Sequence, residues 1–232
     1  YESHGVLTAQ IDPSRESYKE DVALNVFYKQ LLERVQNLPG VTQVGIINTL
    51  NASTNYSIAE HPPVPADRQE SVQMNQVSSD YFKAMGIPIR RGRVFDDRDV
   101  NGATRVIVID ESLAHKEFPN EDPVGKHLKF WKQSWEIVGV VGGARYWELN
   151  GDPVPHMYFS YQQVNWGSMQ LVMRTEFNDP MRLINPVRGE LAAIDKNQPI
   201  HSFKTLESTV SRLVAPQRFT TLLLASFAGL SV

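Results

Sequence analysis

A strand–helix–strand pattern is written twice in this sequence, once near each end. Val6 to Ile11 (VLTAQI) alternates apolar and polar residues, the period of a strand with one buried face. Ser17 and Glu20 then stand at capping-box spacing. Ala23, Val26, Phe27, Leu31, Val35 and Leu38 follow three and four apart, which makes one apolar stripe of an amphipathic helix. Pro39-Gly40 ends that helix, and Val41 to Ile47 (VTQVGII) is the next strand. Near the other end, Met169 to Thr175 (MQLVMRT) reads as a strand and Asp179-Pro180 as a helix start. Leu183, Val187, Leu191 and Ile194 line one side of that helix. Pro186 interrupts or restarts it, with Asn185 as cap. Pro199 leads into a short strand, Ile200 to Phe203, and Thr205 caps a further helix bearing Leu206, Val210 and Leu213.

Two such βαβ units pair naturally into one open sheet with helices on one face. The four strands are expected to share that sheet, with the helix near residues 22–38 packed on it, and the residues between the units become an insertion. The insertion has its own apolar set. VSSDYFKAM is a strand end, a Ser/Asp cap and a short helix; RVIVIDESLAHKEF is a strand, Val106 to Ile109, running into a short helix. HLKFWKQSWEIVGVV is a hairpin, with Leu128 to Trp131 and Trp135 to Val141 as its arms and a polar turn between them. HMYFSY is one more short strand. The fold class is therefore α+β. Asn55 to Arg68, with three prolines in four residues, is the stretch least suited to regular structure.

Composition then removes whole classes of function. The formal net charge is -3, which argues against nucleic acid as a partner. Without a cysteine there is no disulfide, no zinc-thiolate site and no cysteine nucleophile. The six histidines show no i, i+2 or i, i+4 pair, so no metal is expected. Gly139, Gly142 and Gly143 match neither phosphate-binding fingerprint and read as a strand leaving through a tight turn. There is no nucleophile elbow, and no cofactor or catalytic residue is assigned. The run AMGIPIRRGRVFDDRD carries Arg90, Arg91 and Arg93, followed at once by Asp96, Asp97 and Asp99. Its charges nearly cancel, so it reads as a solvated turn and not as an anion site. Eight aromatics crowd residues 131–166. Those expected in turns, chiefly Tyr146, Trp147 and Trp166, are the candidates for a partner surface.

The order of these pieces is distinctive. VSSDYFKAMGIPIRRGRVFDDRD, RVIVIDESLAHKEFPNEDPVGKHL and WEIVGVVGGARYWELNGDPVPHMYFSY follow one another, with FPNEDPVGK (Phe118 to Lys126) the most specific segment. The chain resembles the MacB-like periplasmic core domain of ABC-transporter permeases of the FtsX-like group, nearest to orphan permeases of acidobacterial type. The similarity runs from Val6 to about Arg218. It implies a porter-like part, residues 1–75 and 166–215, split by an inserted Sabre-like part, residues 76–165. Phe219 to Val232, fourteen residues without a charge, reads by itself as a buried helix or as the first turns of a membrane helix, and the resemblance selects the second, with the truncated helix taken from residue 216. The resemblance makes the arginine-rich stretch scaffold: Gly86 and Gly92 turn, Ile87 and Ile89 pack, and the arginines stay solvated. It further implies a non-enzymatic periplasmic domain of an inner-membrane protein that passes on ATP-driven movement for export or extrusion. Its partners would be a cytoplasmic ATP-binding subunit or domain, a second permease half and a periplasmic adaptor. A module that binds a lipophilic or peptide cargo is the alternative.

Overall fold

The computed structural model describes residues 4–14, 16–48, 50, 52–62, 65, 70–143 and 154–211. The first unit is β1 (Val6–Ile11), α1 (Asp21–Gln36) and β2 (Val41–Asn48). The last is β11 (Met169–Thr175), a 3-10 turn (Pro180–Leu183), α4 (Ile184–Ile194) and β12 (Ile200–Thr205). The units interleave as β12-β1-β11-β2, with β11 antiparallel to both β1 and β2. This is the split βαβ arrangement, and it places all four terminal strands in one sheet as the repeated pattern predicts. Helices α1 and α4 cover one face. Leu24, Phe27, Tyr28, Leu31 and Val35 of α1 pack with Val187 and Leu191 of α4 over Leu7, Ala9, Ile46 and Leu171. Each of the Leu, Ile, Val and Phe side chains among these contributes about 1.5–3 kcal/mol by leaving water.

Three local expectations need correction. The buried stripe of α1 is rotated: Ala23 is exposed, and so is Val26 at 49%. Glu20 is itself the residue before the helix, and no side chain caps it, so Ser17 and Glu20 form no box. At the other end, Asp179 Oδ1 accepts the Met181 N–H and starts the 3-10 turn, from which α4 continues at once. Asn185 is therefore no cap, and Pro186 falls in the first turn of α4, where its missing N–H is harmless. Thr205 does cap: its Oγ1 accepts the Ser208 N–H at the start of the helical residues 206–211.

Between the units lie β3 (Ala52–Asn55), β4 (Ser57–Ile58), β5 (Ser71–Val77), α2 (Tyr81–Met85), β6 (Ile89–Gly92), β7 (Val106–Asp110), α3 (Glu111–Glu117), β8 (His127–Phe130), β9 (Gln133–Val141) and β10 (His156–Ser160). The terminal sheet continues into these strands through one bridge, Ile47 opposite Val77. Side chains supplement it: Ser78 Oγ accepts the Ile46 N–H and Asn48 Oδ1 accepts the Gln76 N–H. Beyond this waist the order is β5-β10-β7-β9-β8-β4, and β3 pairs with the other edge of β5. Residues 52–58 thus pair at one end with β5 and at the other with β8, which closes the inserted strands into a ring. Inside it pack Tyr56, Met74, Ile107, Leu128, Phe130, Trp135, Ile137 and Phe159, with Leu113 and Phe118 from α3 and its end. The phenol of Tyr56 donates to Glu117 of α3 at 2.6 Å, and burial, reinforced by that carboxylate, pushes its ionisation far above the usual range. The ring draws in β3, β4 and β5, most of whose residues the sequence reading assigned to the terminal part. A second cluster joins both parts under the other face of the sheet: Val6 and Val172 from the terminal strands meet Tyr81, Phe82 and Met85 of α2 and Val108 and Val138 of the ring.

Candidate functional site

The way the chain enters and leaves the sheet is the first functional feature. β1 and β12 are antiparallel neighbours, with Leu7 opposite Thr205 and Ile11 opposite Ile200. Residues 6 and 205 therefore lie at the same end of the sheet. His4 Nδ1 meets Glu207 Oε1 at 2.8 Å there, and His201 Nε2 meets Asp12 Oδ2 at 3.4 Å at the opposite end of the pair. Both contacts are exposed, so each is worth under about 1 kcal/mol. The strand pairing itself holds the two exits together.

The arginine-rich stretch is scaffold, as the resemblance implies, but its charges are not simply solvated. Arg93 grips Asp99 through Nη1 at 2.5 Å and Nη2 at 3.0 Å, and Asp99 is 3% exposed. Asp99 Oδ2 also accepts the Asp96 N–H. The Asp99 carboxylate raises the pKa of the Arg93 guanidinium. Hydrogen bonds from Arg98 hold the Asp96 carboxyl far below the usual carboxylate range. Arg90 contacts Glu111 at 2.8 Å and Arg91 contacts Asp122 at 3.7 Å. No cation in this stretch is left to hold an anion. Ile87 packs, whereas Ile89 is 47% exposed, against expectation. Gly86 has φ 67° at the end of α2. Gly92, with φ 64°, serves close approach: an added Cβ would sit 2.2 Å from the Val138 carbonyl oxygen.

The third feature is aromatic. β8 and β9 are joined by two residues, Trp131 and Lys132, both at positive φ (49° and 60°). Trp131 is thus in the turn, not in the strand to which the alternation assigns it. Its ring stacks on Phe159 at 5.8 Å and meets Trp135 and Trp166 edge-on at 6.4 and 6.3 Å. Trp135, Tyr158, Phe159 and Tyr161 are buried, Trp166 is half-buried, and Trp131 is 43% exposed. Of the partner-surface candidates, Trp166 belongs to this patch; Tyr146 and Trp147 lie outside the described residues. Sequence reasoning missed Trp131. No local signal marks it, because a two-residue hairpin loop written Trp-Lys lacks the Asn, Asp or Gly that such turns favour.

Among the described residues no group of His, Asp or Glu is arranged to hold a metal. The recess at the waist, about 210 Å3, lies between α1, the β5–α2 turn and residues 95–97. Lys29, Glu33, Asp96 and Asp97 line it, so it is not a dry apolar groove. Burial pushes the Tyr161 phenol at its edge up to about 12, helped by Glu33 and Asp97.

Comparison with known proteins agrees with this architecture. The model of the family described as MacB-like periplasmic core domain matches residues 2–184, ending short of the expected Arg218. The macrolide export ATP-binding/permease protein MacB of Aggregatibacter actinomycetemcomitans is 30% identical over 94 residues, 40% of this chain and 14% of that protein. MacB of Neisseria gonorrhoeae is 37% identical over 65 residues, 28% of this chain and 10% of that protein. The matched stretch is thus a small fraction of these relatives' length. The crystal structure of the periplasmic region of MacB from Actinobacillus actinomycetemcomitans superposes with a TM-score of 0.60 at 16% identity, covering 90% of this chain and 92% of that one. The extracellular domain of the noncanonic ABC-type transporter YknZ from Gram-positive bacteria gives 0.53 at 18% identity, covering 84% and 100%. At such identities the structures establish a shared fold, while the family model spans most of the chain. The chain belongs to the MacB-like periplasmic core domain family, the periplasmic domains of bacterial ABC-transporter permeases.

Proposed function

We propose that this domain transmits ATP-driven movement of membrane helices to the periplasmic side during export or extrusion. The observation that carries the reading is the pairing of Leu7 with Thr205, which brings the entering and leaving chain to one end of the sheet. Helices attached on both sides would act on adjacent strands that belong to one packed core. Residues 216–232, which the resemblance reads as the start of a membrane helix, lie outside the described residues. The terminal strands form the porter-like part and the ring forms the Sabre-like part, with the division after β2 and not at residue 75. The partners are a cytoplasmic ATP-binding subunit or domain, a second permease half and a periplasmic adaptor. On this reading the domain is a non-enzymatic part of the transporter. The charged lining of the waist recess favours transmission over capture of a lipophilic cargo.

The test uses the membrane-embedded parent permease with its ATPase. Spin labels on exposed β12 positions of two copies report the distance between their domains. A distance distribution that shifts between nucleotide-free and ATP-trapped states is the expected result, and identical distributions would refute the reading.

A further inference from the structure

We infer that the closed end of the strand ring, at the β8–β9 turn, is a docking surface for an acidic polypeptide segment. Trp131 and Lys132 stand at positive φ without being glycine, a backbone state that persists only where surrounding contacts enforce it. The enforcing contacts are rings: Phe130, Trp135, Phe159 and Trp166 all touch Trp131. The outcome is a rigid, partly exposed tryptophan beside a second, half-buried one. Trp and Arg are the side chains most often found as interface anchors.

Charge selects the partner. Three segments meet here: residues 129–135 (KFWKQSW) and 161–168 (YQQVNWGS) touch through Trp131 and Trp166, and residues 102–105 (GATR) join them through Arg105 on Trp135 and the Thr104 carbonyl on Gln163. None contains Asp or Glu, although the whole chain has 26 acidic and 23 basic residues. Arg105 and Lys132 are exposed, and neither forms an ion pair among the described residues. Arg105 lies over the Trp135 ring, 5.8 Å from its centre. In contrast, Arg90, Arg91, Arg93 and Arg98 each have a carboxylate. Two unpaired cations flanking a tryptophan surface complement a chain that alternates carboxylates with apolar side chains.

The inference is independent of the transmission reading, and its test needs only the 232-residue chain. Calorimetric titration uses a ten-residue peptide that alternates glutamate with phenylalanine and leucine, and a counterpart with lysine for glutamate. The acidic peptide should bind at least tenfold more tightly. The double variant Arg105→Glu, Lys132→Glu should lose at least tenfold in affinity without a change in thermal midpoint. Lys132→Gly relieves the turn, so its thermal midpoint should hold or rise while affinity falls; undiminished binding by it would overturn the inference. Equal affinity for the two peptides would overturn it as well. Anionic phospholipid vesicles that bind the chain through Trp131 when the acidic peptide does not would assign the surface to lipid instead. Self-association abolished by Trp131→Asn, again without peptide binding, would assign it to a second copy.

Discussion

Arg93 holds Asp99 through both terminal nitrogens of its guanidinium, and the carboxylate it holds is buried. This clamp decides the role of the whole stretch from Ile89 to Asp99. The Asp99 carboxylate also takes the Asp96 N–H, so it ties the end of β6 to the turn that follows. Removing it leaves the guanidinium with only Asp96, 3.3 Å away, and the Val94 carbonyl, and it strands the Asp96 backbone donor. Loss of one partner of a fully buried pair costs about 3–5 kcal/mol. Arg93 is about one-third exposed, so water recovers part of that, and Asp99→Ala should cost about 2 kcal/mol. Urea unfolding checks it. Arg98→Ala, at an exposed pair, should change stability by under about 1 kcal/mol. Equal midpoints for the two variants would contradict the clamp.

Gly92 and Gly139 are partners across β6 and β9, and each is glycine for lack of room. A Cβ on Gly139 would fall 2.0 Å from the Arg93 carbonyl oxygen, and one on Gly92 2.2 Å from that of Val138. Both obstacles are backbone and cannot swing aside. Alanine at either position should cost more than about 3 kcal/mol, or prevent soluble expression, because the β6–β9 pairing must open. A Gly139→Ala protein with parental stability would refute this.

The fold was legible where period and burial agree. β1 and β11 have the bounds read from the sequence, but β1 is buried on both faces where its alternation implied one, because it presents one face to the helices and the other to α2 and the ring. Pairing between distant strands was not legible. Nothing local in VTQVGII reveals that β2 has one ladder pair with β5, Ile47 opposite Val77, or that residues 52–58 close a ring. The α1 stripe was misread because Tyr28, a polar-tipped residue, is buried with its hydroxyl on the Gly167 carbonyl oxygen, whereas apolar Val26 stays outside. At the candidate surface, composition pointed to Trp166 but not to Trp131. Tertiary ring contacts hold Trp131 in a turn that local propensity disfavours.

Gly189 presents the opposite case. It lies inside α4, and a Cβ there would meet nothing within 4 Å. Glycine in a helix interior costs about 0.5–1 kcal/mol relative to alanine. Gly189→Ala should therefore raise the urea midpoint by a corresponding amount without changing the slope of the transition. A destabilised variant would show that the position is crowded.

Alkaline pH should unfold the domain through its buried phenols. Tyr161 is 6% exposed, and burial raises its pKa to about 12, with Glu33 and Asp97 adding to the shift. Burial and the Asp195 carboxylate raise Tyr18 to about 12 as well. An unfolded tyrosine ionises near 10. Between these values the unfolded chain releases protons that the folded chain retains, so ionisation favours unfolding. The contribution is complete below about pH 10 and is lost as pH rises through about 12. Tyr161, the more buried of the two, accounts for about 2–3 kcal/mol of this. Denaturant midpoints measured across this range should fall steeply for the parent chain and less steeply for Tyr161→Phe, which has no proton to lose. Phenolate absorbance recorded on the folded chain supplies the second reading. If the parent and Tyr161→Phe proteins lose stability in parallel, Tyr161 is not held neutral by the fold.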